Sequence, residues 1–244
     1  MRGNLLFSQI GIGAVIEEQP DDLEMTFGRR VLKRRTGAEI VSDVCGATIG
    51  ERWIFALGVC AGGGYMALAV ANGLPVRAFA GVAGVYPSAA QTKGWLGANY
   101  EAAIHRASTA EQRWRETGQA ETIPAVDADN GDVAMPLSEA YEYYGTPRGA
   151  VPNYVNGFAV QSRAYTLPFD VQELAPSLRA PTIMIHSEKA LMPALAKSFF
   201  AALPGKKKEV WMQSKGQIDF YDDHRLIDPS ADLIARFFEA HAGR

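Results

Sequence analysis

One cysteine lies where an apolar strand turns sharply into a helix. Residues 58–62 read Gly-Val-Cys-Ala-Gly, which places Cys60 between two glycines after the apolar run 53–58. This spacing matches the nucleophile elbow, in which a nucleophile takes the middle position of G-x-nucleophile-x-G and is usually serine. Gly58 and Gly62 fit because side chains two residues from a strained nucleophile would collide with the neighbouring strand and helix. The pattern predicts a thiol nucleophile.

The predicted position of Cys60 also favours its reactivity. The N-terminus of a helix carries partial positive charge, which favours a thiolate, and the amide of Ala61 would be one donor to an oxyanion. Two other interpretations exist. Cys60 is a small packed residue in a glycine-rich turn, or the loop cradles a phosphate, although neither GxGxxG nor GxxxxGK[ST] occurs here.

Alternating strands and helices surround this turn. Their order, with short connections, is typical of a parallel sheet flanked by helices and so predicts an α/β fold. In the last helix, we expect Asp228 to be the N-cap and Pro229 the first helical residue. The predicted strands are 53–58, 76–86, 181–186 and 207–213, and the predicted helices are 63–73, 190–205 and 228–241.

A long segment of different composition interrupts the alternation of strands and helices. Residues 88–169 combine a polar, helix-rich part with a part rich in Pro and Tyr, and carry little strand signal. Long insertions of this kind often form lids or binding walls. We therefore expect residues 1–87 and 170–244 to form the core, and residues 88–169 to form a cap.

Four stretches of the chain resemble the dienelactone-hydrolase-like branch of the α/β-hydrolase superfamily. They are residues 39–47, 58–71, 186–200 and 216–223. The resemblance implies a sheet flanked by helices, a Cys nucleophile, an acid after the penultimate strand and a His after the last strand. It also implies hydrolysis of esters, lactones or related acyl compounds.

Carried over by position, the resemblance assigns Cys60 as the nucleophile and Glu188 as the acid. The matching place for the histidine holds Gln217, and an amide cannot take a proton near neutral pH. His186 and His105 are the imidazoles considered as the base, although a histidine at a strand end is more often a packed residue. The residues expected to line a substrate site are Tyr65, Tyr144, Asp219 and Tyr221.

The segment before the elbow strand is shorter than the resemblance implies. Only 52 residues precede Trp53, and no His-Gly dipeptide marks a second oxyanion donor. We therefore expect an N-terminally shortened member whose elbow strand would be an exposed edge. Either residues 5–18 pair with that edge, or a second copy of the chain covers it.

Composition excludes several classes of protein. The chain has 244 residues and a formal net charge of −3, which argues against nucleic-acid binding. Two cysteines without a CxxC motif suit a reducing, cytoplasmic setting. We expect no signal peptide, no membrane span, no metal and no cofactor.

Three functions are consistent with these residues. The first is a Cys-dependent hydrolase of the acyl-transfer type that acts on a small ester, lactone or related molecule. The second is a catalytically impaired relative that binds or scaffolds, and the third is a redox-reactive thiol at Cys60. The intact elbow favours the first, and Gln217 in the histidine position favours the others.

Overall fold

The computed structural model describes residues 4–7, 13–18, 53–129, 131–149 and 151–242. The chain divides into a core unit, made of residues 1–87 and 171–244, and a second unit, made of residues 88–170.

The elements are numbered along the chain. The strands are β1 (Asn4–Phe7), β2 (Gly13–Glu18), β3 (Trp53–Val59), β4 (Ala78–Val82), β5 (Thr122–Ile123), β6 (Phe158–Ala159), β7 (Thr182–His186) and β8 (Lys207–Trp211). The α-helices are α1 (Ala61–Ala71), α2 (Ala89–Leu96), α3 (Asn99–Thr117), α4 (Ser138–Tyr144), α5 (Arg163–Thr166), α6 (Pro193–Ala202), α7 (Asp219–Asp222) and α8 (His224–Glu239). Short 3₁₀ helices cover Val160–Ser162 and Gln172–Ser177.

The described strands of the core unit form one sheet in the order β1-β2-β3-β4-β7-β8. The pairs β3–β4, β4–β7 and β7–β8 are parallel, with Phe55 opposite Ala78 and Phe79 opposite Thr182. Parallel neighbours align their carboxyl ends, so the residues that follow β3, β4, β7 and β8 meet at one edge of the sheet. The prediction of a mostly parallel α/β fold is confirmed.

The N-terminal strands cover the edge of the elbow strand. β2 runs antiparallel to β3, with Gly13 opposite Gly58, and β1 runs antiparallel to β2. The predicted pairing of residues from 5–18 with that edge is therefore confirmed. An unpaired β3 was the reason to expect an oligomer, and β3 is paired within the chain.

Helix α8 packs the core on one face of the sheet. Its buried Ile234 and Phe238 join alternate residues of β3, β4 and β7, and the ring of Phe238 stacks on Phe55 at a centroid distance of 4.6 Å. The predicted start of this helix is wrong. Asp223, not Asp228, is the N-cap, because its side chain accepts the amide hydrogen of Arg225 at 2.9 Å and starts the helix a turn earlier.

Pro229 is correspondingly the sixth residue of α8 rather than the first. The carboxylate of Asp228 instead lies 3.1 Å from Nδ1 of His224, one turn earlier on the same helix.

The second unit is built around the 19-residue helix α3. Arg106 on this helix contacts Glu121 and Asp132, and Asp132 also pairs with Arg163. The two ends of the second unit meet, since the amide of Ala89 donates to the carboxylate of Asp170 at 2.9 Å. Residue 170 belongs to this unit.

Candidate active site

Cys60 takes a strained backbone conformation between β3 and α1. Its φ is 54° and its ψ is −131°, and it is the N-cap of α1. L-residues other than Gly rarely adopt this region, and it persists only where surrounding contacts enforce it. Here the amide of Cys60 donates to the carbonyl of Val82 at 3.2 Å, and its own carbonyl accepts from Gly63 at 2.9 Å and Val85 at 2.8 Å.

Gly58 is glycine for a steric reason. A Cβ at this position would overlap the carbonyl oxygen of Gly62 and would lie 2.7 Å from Cα of Gly63. Both groups belong to the backbone of α1, so they cannot rotate away as a side chain would. This backbone contact is the collision that the G-x-C-x-G spacing predicts, and it ties the identity of residue 58 to the close packing of the turn.

The thiol of Cys60 is partly exposed and lies at the start of an 11-residue helix. The amides of Ala61 and Gly62, the first two residues of the helix, have no intrahelical acceptor by the geometry of the helix. Gly62, two residues after Cys60, is buried. These features give a partial positive charge beside Cys60, as an oxyanion site would require.

The charge of Cys60 affects the pKa of the Tyr65 hydroxyl. Burial raises the pKa of the Tyr65 hydroxyl, and the negative charge of the Cys60 thiolate is a second, smaller cause. Because the pKa is raised, the phenol is protonated at neutral pH and can donate a hydrogen bond. Tyr65 is thus the predicted substrate-site residue that the structure couples to the thiol.

Gln217 is buried, with 2% of its surface exposed, and it bonds two other segments of the core unit as well as its own loop. Its side-chain nitrogen donates to the carbonyl of Ala83 at 2.8 Å and to the hydroxyl of Tyr221 at 3.0 Å. Its side-chain oxygen accepts from the amide of Leu191 at 2.9 Å. In the place where the resemblance puts a histidine base, this chain has an amide that cross-links the loops after β4, β7 and β8.

Asp219 makes its hydrogen bond within its own loop. Its carboxylate accepts the amide hydrogen of Lys215 at 2.6 Å, and Asp219 is the first residue of the short helix α7. Its neighbour Tyr221 packs against the hydrophobic core, with its hydroxyl accepting from Gln217. Both contacts organise the loop that carries Gln217.

His186 is buried at the end of β7, with both ring nitrogens beside backbone carbonyls. Nδ1 lies 3.0 Å from the oxygen of Ser187 and Nε2 lies 3.2 Å from the oxygen of Gly84. The ring also packs against Trp211 at a centroid distance of 5.2 Å. Burial lowers the pKa of His186, so the ring is neutral at neutral pH. This geometry favours the packed-residue interpretation over a base for Cys60.

Glu188 lies at the surface rather than in a buried triad. Its side chain is 63% exposed and pairs with Lys197, whose ammonium group also lies 4.6 Å from the centroid of the Trp211 ring. Within the described residues, no hydrogen bond joins the carboxylate of Glu188 to His186. The predicted acid and imidazole are neighbours in sequence, but the structure does not assemble them into a relay.

The other three histidines have separate surroundings. His224 is 82% exposed and lies beside Asp228, and Nδ1 of His241 lies 2.8 Å from the carbonyl oxygen of Phe237. His105 is exposed on α3 of the second unit. Tyr144 belongs to that unit too, where its ring packs edge-on against Tyr143 and stacks on Tyr154.

Two features near the elbow escape prediction from sequence. Tyr86 is fully buried and stacks on Phe199 at 4.4 Å, and its hydroxyl fills a slot formed by Gly81 and Gly84. The hydroxyls of Ser187 and Ser214 also lie 2.8 Å apart, joining the loops after β7 and β8. Gly81 in β4 and Gly84 just after it are the signal that could have suggested the slot. The serine pair depends on residues far apart in sequence.

A cavity of about 500 Å³ lies at the other end of the sheet. It opens beside the residues that precede β4 and β7, whereas Cys60 follows β3, so parallel pairing separates the two sites. Among the residues that line it are Val70, Leu74, Pro75, Arg77, Arg179 and Pro181. This cavity is therefore not a substrate pocket for Cys60.

Two other kinds of site are absent from the described residues. No group of three or more His, Cys, Asp or Glu side chains in this part of the chain has an arrangement that could hold a metal ion. Among the same residues, no helix combines the length and apolarity needed to cross a bilayer.

Comparison with known proteins places this geometry among related folds. No family model matches the chain. The uncharacterized protein PA2218 of Pseudomonas aeruginosa is 29% identical over 140 residues, which cover 54% of this chain and 36% of that protein. The uncharacterized protein YcjY of Escherichia coli is 23% identical over 194 residues, which cover 76% of this chain and 63% of YcjY. The chain thus spans less than two thirds of the length of these curated relatives.

Solved structures resemble the chain more extensively. The α/β-hydrolase GrgF from a Penicillium species has a TM-score of 0.59 at 18% identity, with 84% of this chain and 71% of GrgF covered. The crystal structure of PA2218 has a TM-score of 0.60 at 23% identity, with 76% of this chain and 60% of that one covered. Likeness at these identities establishes architecture, and with the sheet order and the elbow it shows that the described part of this chain has the α/β-hydrolase fold.

Proposed function

We propose that the protein catalyses acyl transfer from a small ester, lactone or related carboxylic acyl compound, with Cys60 as the nucleophile. The observation that carries the proposal is the conformation of Cys60, with φ of 54° and ψ of −131° at the start of α1. Strained backbone at a residue of this chemical type is characteristic of functional sites. The residue resemblance to the dienelactone-hydrolase-like branch supports the same reaction class.

The first half of the reaction follows from this position. The Cys60 thiolate attacks the acyl carbonyl, and the amide of Ala61 donates a hydrogen bond to the oxyanion that forms. The carbon–oxygen bond to the leaving group then breaks, leaving a thioester on Cys60. Protonated Tyr65 is positioned to donate to the substrate or the leaving group, and we assign it to substrate binding.

The test is to locate the acyl group after brief exposure to an activated ester. Incubation with p-nitrophenyl acetate, followed by digestion and mass spectrometry, should place one acetyl group on the peptide that contains Cys60. The Cys45 peptide of the same digest serves as an internal comparison. Cys60→Ala should remove the acetylation, and acetylation of Cys45 alone would contradict the proposal.

A second candidate is a binding protein that keeps the elbow for packing. The observation that favours it is the structural use of Gln217, whose buried amide cross-links three loops where a base would stand. This candidate predicts that neither esters nor alkylating reagents modify Cys60 in the folded protein. A thiol that reacts rapidly with peroxide or alkylating reagents but never with esters would instead indicate the redox function.

A further inference from the structure

We propose that the acyl group on Cys60 passes to a small thiol rather than to water, so that the protein acts as a thiol acyltransferase. This inference rests on the proposed function, since it concerns the second half of the same reaction. It starts from the residue that occupies the base position.

Hydrolysis of a thioester on Cys60 requires a group that removes a proton from water. Water ionises with a pKa near 15.7, so an enzyme that uses it places a base, usually imidazole, beside the attacking oxygen. Gln217 cannot fill this role, because its amide does not accept a proton near neutral pH.

Gln217 is also unable to move aside for another group. It is 2% exposed, and its side chain bonds the carbonyl of Ala83 and the amide of Leu191 at 2.8 and 2.9 Å. Rotating it away would leave the buried carbonyl of Ala83 and the partly buried amide of Leu191 without this partner, and an unsatisfied buried group is costly. The amide is therefore a fixed part of this edge of the sheet.

All four histidines of the chain are described, and those of the core unit are engaged elsewhere. Both nitrogens of His186 face backbone carbonyls, His224 is exposed beside Asp228, and His241 faces the carbonyl of Phe237. The fourth, His105, is a surface residue of the second unit. The core unit thus builds a nucleophile without building the imidazole that activates water.

A thiol acceptor does not need such a base. A thiol like that of cysteine, with a pKa near 8.5, is already ionised to a few per cent at neutral pH, whereas an amine like that of lysine, with a pKa near 10.4, is almost fully protonated. The acceptor thiolate attacks the thioester carbonyl and forms a new carbon–sulfur bond. The carbon–sulfur bond to Cys60 breaks, and its electron pair returns to Sγ as a thiolate beside the N-terminus of α1. No oxidant, reductant or further proton acceptor is required.

The experiment follows the fate of an acetyl group on the wild-type protein. After acetylation with p-nitrophenyl acetate and removal of the reagent, the Cys60 peptide is followed by mass spectrometry in buffer, in 2-mercaptoethanol and in glycine. S-acetyl-N-acetylcysteine under the same conditions gives the uncatalysed rate of each reaction. We expect 2-mercaptoethanol to deacetylate Cys60 at least tenfold faster than it deacetylates the reference thioester, with one equivalent of S-acetyl-mercaptoethanol formed.

In buffer alone, and in glycine, the acetyl group on Cys60 should persist as long as that on the reference thioester. Loss of the acetyl group in buffer much faster than from the reference would overturn the inference and leave the proposed function intact. Thiol exchange no faster than that of the reference would also overturn it. Failure of Cys60 to become acetylated at all would instead reject the proposed function on which the inference rests.

Discussion

Two loops at the carboxyl edge of the same sheet contrast in how closely they match the residues that the family resemblance implies. The turn after β3 keeps the nucleophile elbow, including the strained φ of 54° at Cys60 and the glycine that its packing needs. The loop after β8 places Gln217 where the resemblance expects a histidine, and uses the amide to join three segments. The contrast shows that the strained backbone of the elbow can occur without the histidine side chain that is expected to act beside it. The four substitutions below test the two sides of this comparison.

The largest effect should come from Gly58→Ala. The added Cβ would overlap the backbone of Gly62 and lie 2.7 Å from Cα of Gly63, so β3 and α1 must separate. We expect a loss of about 4 kcal/mol in the free energy of unfolding, measured by urea denaturation. Gly94→Ala is the matched control, because a Cβ there meets nothing within 4 Å. Equal stability of the two variants would contradict the tight elbow.

On the other side of the comparison, Gln217→Ala should cost about 3 kcal/mol. The substitution leaves the buried carbonyl of Ala83 and the partly buried amide of Leu191 without their partner. Gln112→Ala removes an exposed amide that bonds only Glu116 among the described contacts, and should cost less than about 0.5 kcal/mol. If Gln217→Ala were as mild as Gln112→Ala, the cross-linking role assigned to Gln217 would be wrong.

Cys60→Gly should have the opposite sign. Glycine accepts a φ of 54° and a ψ of −131° without the clash that a Cβ causes, so the variant should gain about 1 kcal/mol of stability while losing acylation. Cys60→Ala retains the Cβ, and should lose acylation without the full gain. Thermal unfolding of both variants at equal concentration measures the difference, and a glycine variant less stable than the alanine variant would argue against strain.

The fourth effect concerns the pH dependence of stability. Burial holds the pKa of His186 below its ordinary value, so the unfolded chain binds its proton more readily than the folded protein. The stability contributed by the neutral ring is complete above about pH 6.5, where the unfolded histidine also loses its proton, and declines as pH falls below that value. In His186→Asn the free energy of unfolding should depend less on pH from 7 to 5, by at most about 1.4 kcal/mol per pH unit. An unchanged or steeper dependence would show that His186 is not the group responsible.

Prediction from sequence was most successful where the backbone sets the structure. The glycines around Cys60 predict that the backbones of β3 and α1 pack closely, and apolar strands alternating with helices predict a parallel sheet. Both are local consequences of residue type. The predicted start of α8 is wrong because Asp223, five residues before Asp228, caps the helix. The choice between them depends on which carboxylate reaches an amide in the folded chain.

The partners of the site residues were harder to predict because they lie far away in sequence. The hydrogen bonds of Gln217 reach 134 residues back to Ala83, and those of His186 reach 102 residues back to Gly84. No local pattern reports such contacts. The sequence identified the missing histidine, but only the structure shows what the replacing amide does.

The most direct measurement of the central claim is the time course of p-nitrophenolate release from p-nitrophenyl acetate by the wild-type protein. A working nucleophile without a base for water predicts a burst of one equivalent per chain, followed by a near-flat phase that a small thiol converts into continuous release. Release that proceeds linearly from the start, without a burst and at an equal rate in Cys60→Ala, would contradict the account.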